Sequence, residues 1–185
     1  MIKREILIGG LILVLFTSAG WLLLNPGSLS TAPAISLKIT DGRVINLQEL
    51  QGKPVLITFW ATSCRSCLKE IPHLITLYNE LSDKGLEIIG VAMSYDPPNQ
   101  VIELIERGQV SYPIALDVDG SIAMAFDNVM LTPTFFLISP EGRIIKYRRG
   151  EMDMDKLEQQ IRDLLFKQSQ VTSHKLQETD YDKET

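Results

Sequence analysis

The sequence predicts an α/β domain with a mixed central sheet flanked by helices. Val55–Trp60 is a continuous apolar run that fits a strand buried on both faces, and residues 86–93, which are largely apolar, predict a second buried strand. A segment with helical periodicity follows each run. Near the end of the domain, Pro140-Glu141-Gly142 separates two further strand-like segments and predicts an antiparallel hairpin. Alternating strands and helices with a closing hairpin are typical of a mixed sheet.

The first half of the domain is predicted from turn signals and periodicity. Residues 25–34 are rich in Pro, Gly and Ser and are interpreted as a linker. Residues 35–40 and 44–47 flank Asp41-Gly42, which predicts an N-terminal β-hairpin. After the strand at Val55–Trp60, apolar residues recur at helical spacing from residue 68 to residue 81, with Pro72 expected to kink this helix.

The second half begins with the buried strand at residues 86–93. A helix over residues 97–107, a short strand over 112–116 and a short helix over 119–126 are expected to follow. Residues 134–139 and 143–148 form the hairpin, and residues 153–166 the last helix. The predicted domain spans residues 35–167, and the polar residues 168–185 are expected to be a disordered tail.

The N-terminus has the pattern of a membrane segment. Lys3 and Arg4 precede an uncharged apolar run over residues 6–24, close to the length that crosses a bilayer. The positive-inside rule then places the domain outside the cytoplasm. A signal peptide cleaved within residues 25–34 is the alternative, but the run is longer than a usual signal-peptide core, so a single-pass anchor in the cytoplasmic membrane is favoured.

Composition excludes one class of partner. The chain has 185 residues, 45% of them hydrophobic, and a net charge of −5. No stretch rich in Lys and Arg interrupts the domain, so we expect no nucleic-acid partner.

The chain has only two cysteines, Cys64 and Cys67, and they form a CxxC motif where a buried strand passes into a helix. The unpaired N–H groups of a helix N-terminus and the charge of Arg65 favour a thiolate on Cys64. Cys67, one turn further, is expected to be shielded. One exposed and one shielded sulfur suit disulfide exchange, in which the first attacks and the second resolves the mixed disulfide.

Other uses of the pair have less support. A structural disulfide over so short a loop removes little entropy from the unfolded chain. A zinc site needs about four ligands, and the chain adds only two histidines, one of them in the predicted tail. Asp117 and Asp119 are interpreted as loop and capping residues, because the spacing of a calcium-binding loop is missing.

The segment Phe59-Trp60-Ala61-Thr62-Ser63-Cys64-Arg65-Ser66-Cys67-Leu68-Lys69-Glu70-Ile71-Pro72 resembles the thioredoxin superfamily. It is most similar to membrane-anchored TlpA/ResA-like thiol-disulfide oxidoreductases, over about residues 35–166. The resemblance implies a thioredoxin-like fold with a central helix-strand insertion, and it implies that Cys64 attacks and Cys67 resolves. It also implies a cis peptide bond before Pro133, with the backbone of Thr132 pairing with a client segment.

The resemblance also implies a role for Glu70 in moving the proton of Cys67. The alternative is a solvated glutamate that favours an early helical turn. Thr58 stands where ordinary thioredoxins have a buried aspartate, so Glu70 is the one nearby acid proposed. Ser63 replaces the tryptophan that usually precedes the first cysteine, which leaves partner preference open. Trp60 is retained, either as a core aromatic or as part of the client-binding set with Ser63, Thr132 and Pro133.

These features predict a membrane-tethered enzyme that reduces disulfides in exported proteins, apocytochrome c being one kind of client. A transmembrane thiol carrier would supply electrons, and no cofactor or metal beyond the redox-active disulfide is expected. A thiol peroxidase of the same fold is an alternative, although Ala61 stands where its signature has threonine. An exported metal chaperone that uses both cysteines as soft ligands is another.

Overall fold

The computed structural model describes the backbone of residues 31–181 and the side chains of residues 31–170. The predicted anchor at residues 1–24 and most of the predicted linker lie outside the described residues. None of the helices within residues 31–181 has both the length and the apolar character that crossing a bilayer requires.

Within residues 31–181, seven strands form two sheets. In chain order they are β1 (Ser36–Lys38), β2 (Val44–Asn46), β3 (Val55–Trp60), β4 (Glu87–Ala92), β5 (Ile114–Leu116), β6 (Thr134–Ile138) and β7 (Ile144–Arg149). The central sheet has the order β5-β4-β3-β6-β7, and β1 pairs with β2 in a separate hairpin. Strands β3, β4 and β5 run parallel, whereas β6 and β7 are antiparallel to their neighbours, so the prediction of a mixed sheet is confirmed.

In the described part of the chain, four α-helices connect and cover the strands. They are α1 (Arg65–Leu81), α2 (Pro98–Gly108), α3 (Ser121–Ala125) and α4 (Met154–Tyr181), with single 3₁₀ turns at Leu47–Leu50 and Ser82–Lys84. Each predicted helix and strand is present, with bounds that differ by a few residues. The exception is α4, which continues well past its predicted end at Phe166, to Tyr181. Among the side chains described in α4, Leu165 is the last buried one, so the part packed on the core ends where expected. The domain limits themselves stay a prediction.

Strand β3 lies at the centre of the sheet, and all six of its residues are buried. Alternate side chains point to opposite faces. Leu56 packs in one core with residues of α1 and α4 that include Leu74 and Leu157. On the other face Phe59 packs edge-on against Phe126 and Phe136. The apolar run of β3 therefore serves two cores, which is why it shows no alternation of apolar and polar residues.

The end of β3 brings the candidate loops together. Phe59 is paired with Thr134 of β6, and Trp60 is paired with Ala92 of β4. Because β6 is antiparallel to β3, the start of β6 lies at the edge of the sheet where β3 ends. The residues just before β6 and the residues just after β3 and β4 therefore meet at this edge.

Candidate functional site

Cys64 and Cys67 form a disulfide at the junction between β3 and α1. Cys64 is the N-cap residue of α1, and its Sγ accepts a hydrogen bond from the backbone N–H of Cys67 at 3.2 Å. Ser66 Oγ lies 3.5 Å from the same sulfur. Once the disulfide is reduced, these donors and the helix N-terminus favour negative charge on the Cys64 sulfur.

The two sulfurs differ in access as the sequence predicts. Cys67 is 3% exposed and belongs to the core under α1, whereas Cys64 is only partly buried at its rim. Arg65 and Ser63 on either side of Cys64 are both exposed. Cys64 is therefore the more accessible of the two residues, and its role as the attacking cysteine, with Cys67 resolving, stays a prediction.

Glu70 lies one turn beyond Cys67 on the buried side of α1. It is 7% exposed, and its Oε1 accepts a hydrogen bond from the backbone N–H of Met152 at 2.9 Å. The alternative of a solvated surface glutamate is therefore wrong. Burial raises the pKa of Glu70 above its usual range; the Met152 hydrogen bond opposes this rise, and the negative charge of Glu151 adds to it. A carboxyl group buried beside the shielded cysteine is suited to hold or release a proton.

The peptide bond between Thr132 and Pro133 is cis, as the family resemblance implied. Pro133 is buried, and its carbonyl accepts a hydrogen bond from Gly150 N–H at 2.8 Å, which ties this loop to the end of β7. Thr132 is partly exposed. The cis bond precedes β6, so this loop lies at the same edge of the sheet as the cysteines.

Trp60 is a core residue at the end of β3. It is 3% exposed, and its Nε1 has no hydrogen-bond partner within the described residues. Of the four residues expected to contact clients, Trp60 and Pro133 are buried, Ser63 is exposed and Thr132 is intermediate. The geometry favours the core interpretation of Trp60, and the client-contact assignments stay predictions.

The sequence did not single out two residues that contact the active-site loops. Asp96 is buried, and its carboxylate accepts hydrogen bonds from the backbone N–H and the hydroxyl of Thr62, at 2.6 and 2.5 Å. The hydroxyl of Tyr95 lies 3.4 Å from that of Thr132. In the sequence Asp96-Pro97-Pro98 signalled only the start of a helix, because neither partner is near in the chain.

The contact with Asp96 also bears on the peroxidase alternative. Thr62 is the threonine nearest to the peroxidase position, and its hydroxyl donates to Asp96. Ala61, at the peroxidase position itself, carries no hydroxyl. The threonine hydroxyl of the peroxidase signature is therefore missing from its position three residues before Cys64.

Comparison with known proteins decides the family. The model of the family described as Redoxin matches residues 28–164. The chain belongs to the Redoxin family. It is 34% identical over 159 residues to the thiol-disulfide oxidoreductase ResA of Bacillus subtilis, covering 81% of this chain and 88% of that protein. It is 30% identical to ResA of Bacillus cereus, covering 88% of this chain and 98% of that protein.

Two similar solved structures support the same fold. The thioredoxin domain of a thiol-disulfide oxidoreductase from Bacteroides vulgatus matches with a TM-score of 0.61 and 29% identity, covering 73% of this chain and 98% of that one. A thiol:disulfide interchange protein of the thioredoxin family from Chlorobium tepidum matches with a TM-score of 0.68 and 22% identity, covering 75% and 98%. This member of the Redoxin family is a ResA-like thiol-disulfide oxidoreductase with a thioredoxin-like fold, which confirms the resemblance and the predicted enzyme class.

Proposed function

We propose that this protein reduces disulfides in exported proteins through a cycle of the Cys64–Cys67 pair, while residues 6–24 tether it to the cytoplasmic membrane. The observation that carries the proposal is the arrangement of Cys64 at the helix N-cap, Cys67 shielded behind it and Glu70 buried one turn further. Each of the three groups has the access and environment that one step of the cycle needs.

The cycle starts from the dithiol. The Cys64 thiolate attacks one sulfur of a client disulfide, a mixed disulfide forms, and the other client sulfur leaves as a thiolate that takes up a proton. Exposure of Cys64 and the positive end of α1 favour this step.

The second step uses Cys67 and Glu70. The Cys67 thiol loses its proton to the Glu70 carboxylate and attacks the Cys64 sulfur, which breaks the mixed disulfide. The second client sulfur leaves as a thiolate that takes up a proton from solvent, and Glu70 returns its own proton to solvent. The protein is left with the Cys64–Cys67 disulfide and the client with two thiols, so two electrons have passed to the client. A carboxyl group with a raised pKa is better matched to a thiol as a proton acceptor than a fully solvated one.

Reduction of the enzyme closes the cycle. A dithiol must attack the Cys64–Cys67 disulfide and become oxidised in turn, and a transmembrane thiol carrier is the proposed donor. No cofactor beyond the two sulfurs takes part. Exported proteins with disulfides, apocytochrome c among them, are the proposed clients.

Trapping tests the proposal directly. In the full-length Cys67→Ala variant, the mixed disulfide through Cys64 has no resolving thiol and should accumulate on clients, which mass spectrometry identifies. The double variant Cys64→Ala/Cys67→Ala is the matched control and should trap nothing. Absence of exported proteins among the adducts of Cys67→Ala would contradict the proposed substrate class.

The membrane tether is tested separately. Full-length protein should stay with the membrane fraction after a high-pH carbonate wash, and protease added outside the cytoplasmic membrane should digest the domain. Release of the protein by the wash would favour the cleaved signal peptide, and protection from the protease would overturn the proposed orientation.

A further inference from the structure

The turn between β4 and α2 contacts both loops of the active site. The backbone N–H of Asp96 donates to the carbonyl of Met93 at 2.9 Å, which closes the turn. Tyr95 and Asp96, adjacent in this turn, point to different partners. Asp96 holds Thr62, two residues before Cys64, and Tyr95 reaches Thr132, which precedes the cis-proline.

Asp96 has the properties of a fixed anchor. It is 6% exposed, and each of its carboxylate oxygens accepts a hydrogen bond from Thr62, one from the backbone and one from the hydroxyl. Hydrogen bonds to an ionised carboxylate are stronger than those between neutral groups. Separating a buried carboxylate from its donors would leave both without hydrogen bonds, which costs free energy. The two bonds therefore hold residues 61–63, the cysteine loop, at a fixed distance from the β4–α2 turn.

Tyr95 differs from Asp96 in its exposure. Its side chain is 57% exposed, although its hydroxyl is within reach of Thr132. Met130 and Leu131, directly before Thr132, are 72% and 56% exposed. The hydroxyl of Tyr95 thus brings this exposed aromatic residue to the loop that Met130 and Leu131 begin, and the three exposed side chains are taken together as an apolar surface of the cis-proline loop.

We propose that Tyr95 is a specificity-determining residue that binds an apolar side chain next to the cysteine of a client, and that Asp96 is the positioning residue that holds Tyr95 and the cysteine loop in register. The inference rests on the proposed function, because it takes the client to be a protein segment. The occupant of the surface is that segment, since the bond from its sulfur to Cys64 in the mixed disulfide keeps its neighbouring residues at this edge of the sheet.

The surface defines a chemical class of client. Tyr95, Met130 and Leu131 offer ring and aliphatic contacts and carry no charged group. An apolar residue next to the client cysteine would bury apolar surface against them, which stabilises the bound state. Such contacts exist before and during the exchange step. Their loss should therefore raise KM more than it lowers kcat.

The first experiment compares two peptides and a small disulfide on the full-length protein, with dithiothreitol as reductant. The peptides share one intramolecular disulfide and differ only in Leu or Ser beside one cysteine; the small substrate is 2-hydroxyethyl disulfide. We expect the wild type to prefer the Leu peptide by about 5-fold or more in kcat/KM. Tyr95→Ala should abolish the preference by raising KM for the Leu peptide, and its effect on the small disulfide, which has no Leu side chain, should be smaller.

Two further variants test the role of the ring. Tyr95→Phe retains the ring without the hydroxyl and should retain most of the preference. Phe166→Ala removes an exposed aromatic residue of α4 beside Leu81 and Lys84, at the end of α1 opposite Cys64, and should match the wild type on all three substrates. A wild type without preference, or a Tyr95→Ala variant that keeps it, would overturn the specificity role.

The positioning role of Asp96 is tested on the same substrates. Asp96→Ala should lower kcat for peptides and small disulfide alike, by about 10-fold, because the cysteine loop loses both hydrogen bonds. Asp96→Asn should restore part of that loss. Thr62→Val removes only the hydroxyl partner and leaves the Asp96 carboxylate in place. Its kcat should fall between those of wild type and Asp96→Ala. If Thr62→Val and Asp96→Asn both equal the wild type in kcat and KM, Asp96 has no positioning role.

The outcomes separate this inference from the proposed function. A wild-type enzyme that reduces the small disulfide but neither peptide would contradict the proposed function, and the inference would fall with it. A wild-type enzyme that reduces both peptides, with Tyr95→Ala unchanged in preference, would overturn the inference alone.

Discussion

Glu70 accepts a hydrogen bond from the backbone N–H of Met152, a residue 82 positions further along the chain. Met152 lies just before α4, and its side chain belongs to the same core as Cys67. One contact thus joins the active-site helix α1 to the segment that leads into α4. It also gives a buried carboxyl group a fixed donor on one oxygen, which holds the group in place beside the shielded cysteine.

This contact sets two opposing influences on the Glu70 carboxyl group. Burial favours the neutral form and raises its pKa, whereas the N–H of Met152 favours the charged form and lowers it. The nearby charge of Glu151 adds to the rise. Burial is the largest influence, so the direction of the shift is upward.

The raised pKa predicts how stability depends on pH. The folded protein holds the Glu70 proton more tightly than the unfolded chain, so Glu70 contributes stability below its unfolded pKa, about 4.3, and loses that contribution as pH rises through its folded pKa. The free energy of unfolding of oxidised wild type should therefore fall relative to that of Glu70→Gln as the pH rises above about 4.3 and through the raised pKa of the folded protein. Urea unfolding at several pH values measures the difference. Glu106→Gln changes an exposed residue of α2 and is the control. Its free energy of unfolding should change with pH in the same way as that of the wild type.

Glu70 should also control how fast the mixed disulfide is resolved. Without a carboxylate to accept the proton, Cys67 remains a thiol, so Glu70→Gln should slow resolution at neutral pH by about 100-fold or more. Stopped-flow mixing of the dithiol enzyme with saturating client disulfide, in which release of the first and second client thiols is followed, gives the rate. The exposed neighbouring variant Lys69→Gln should resolve as fast as the wild type. Equal rates for Glu70→Gln and wild type across pH would remove Glu70 from the mechanism.

Local signals in the sequence were sufficient for most of the fold. The run Val55–Trp60 shows no alternation of apolar and polar residues because β3 is buried on both faces. The helical spacing of apolar residues in α1 reflects its single buried side. Asp41-Gly42 marks a real turn, in which Gly42 has a φ of 91° that other residues rarely adopt. These features depend on neighbours in the chain, which is why periodicity and turn chemistry find them.

Contacts between distant segments were beyond those signals. The burial of Glu70 depends on Met152, and the role of Asp96 depends on Thr62, 34 residues earlier. Spacing within α1 placed Glu70 near Cys67 but could not say whether water or protein covered it. The cis bond at Pro133 came from family resemblance, because the sequence around a proline does not fix its isomer.

Gly90 in β4 lies where a side chain would collide with the core under the active site. A Cβ there would lie 2.5 Å from Ile114 Cδ1, 3.0 Å from Trp60 Nε1 and 3.2 Å from Tyr112 Cε2. Gly90→Ala should therefore destabilise the fold by about 1–3 kcal/mol through overpacking, measured by urea unfolding. An unchanged midpoint would show that Ile114 can move aside at no cost.

A second glycine gives the matched control for Gly90. Gly108 ends α2, and a Cβ there would meet only Val110 Cγ2, at 3.7 Å. Because there is space for the added methyl group and alanine has less freedom in the unfolded chain, Gly108→Ala should be neutral or stabilising by up to about 1 kcal/mol. Similar losses in both variants would mean that the collision at Gly90 is not the cause.

Asp117 fixes the start of α3 from inside the protein. It is 1% exposed, and its two carboxylate oxygens accept hydrogen bonds from the backbone N–H groups of Ile122 and Ala123, each at 2.9 Å. Asp117→Ala should leave both donors without their partner and cost about 1–3 kcal/mol of unfolding free energy. Asp119→Ala removes an exposed carboxylate that accepts from Ser121 N–H and should cost less than about 1 kcal/mol. Urea unfolding of the two variants side by side checks the difference, and equal losses would mean that burial of Asp117 adds nothing to its role as a cap.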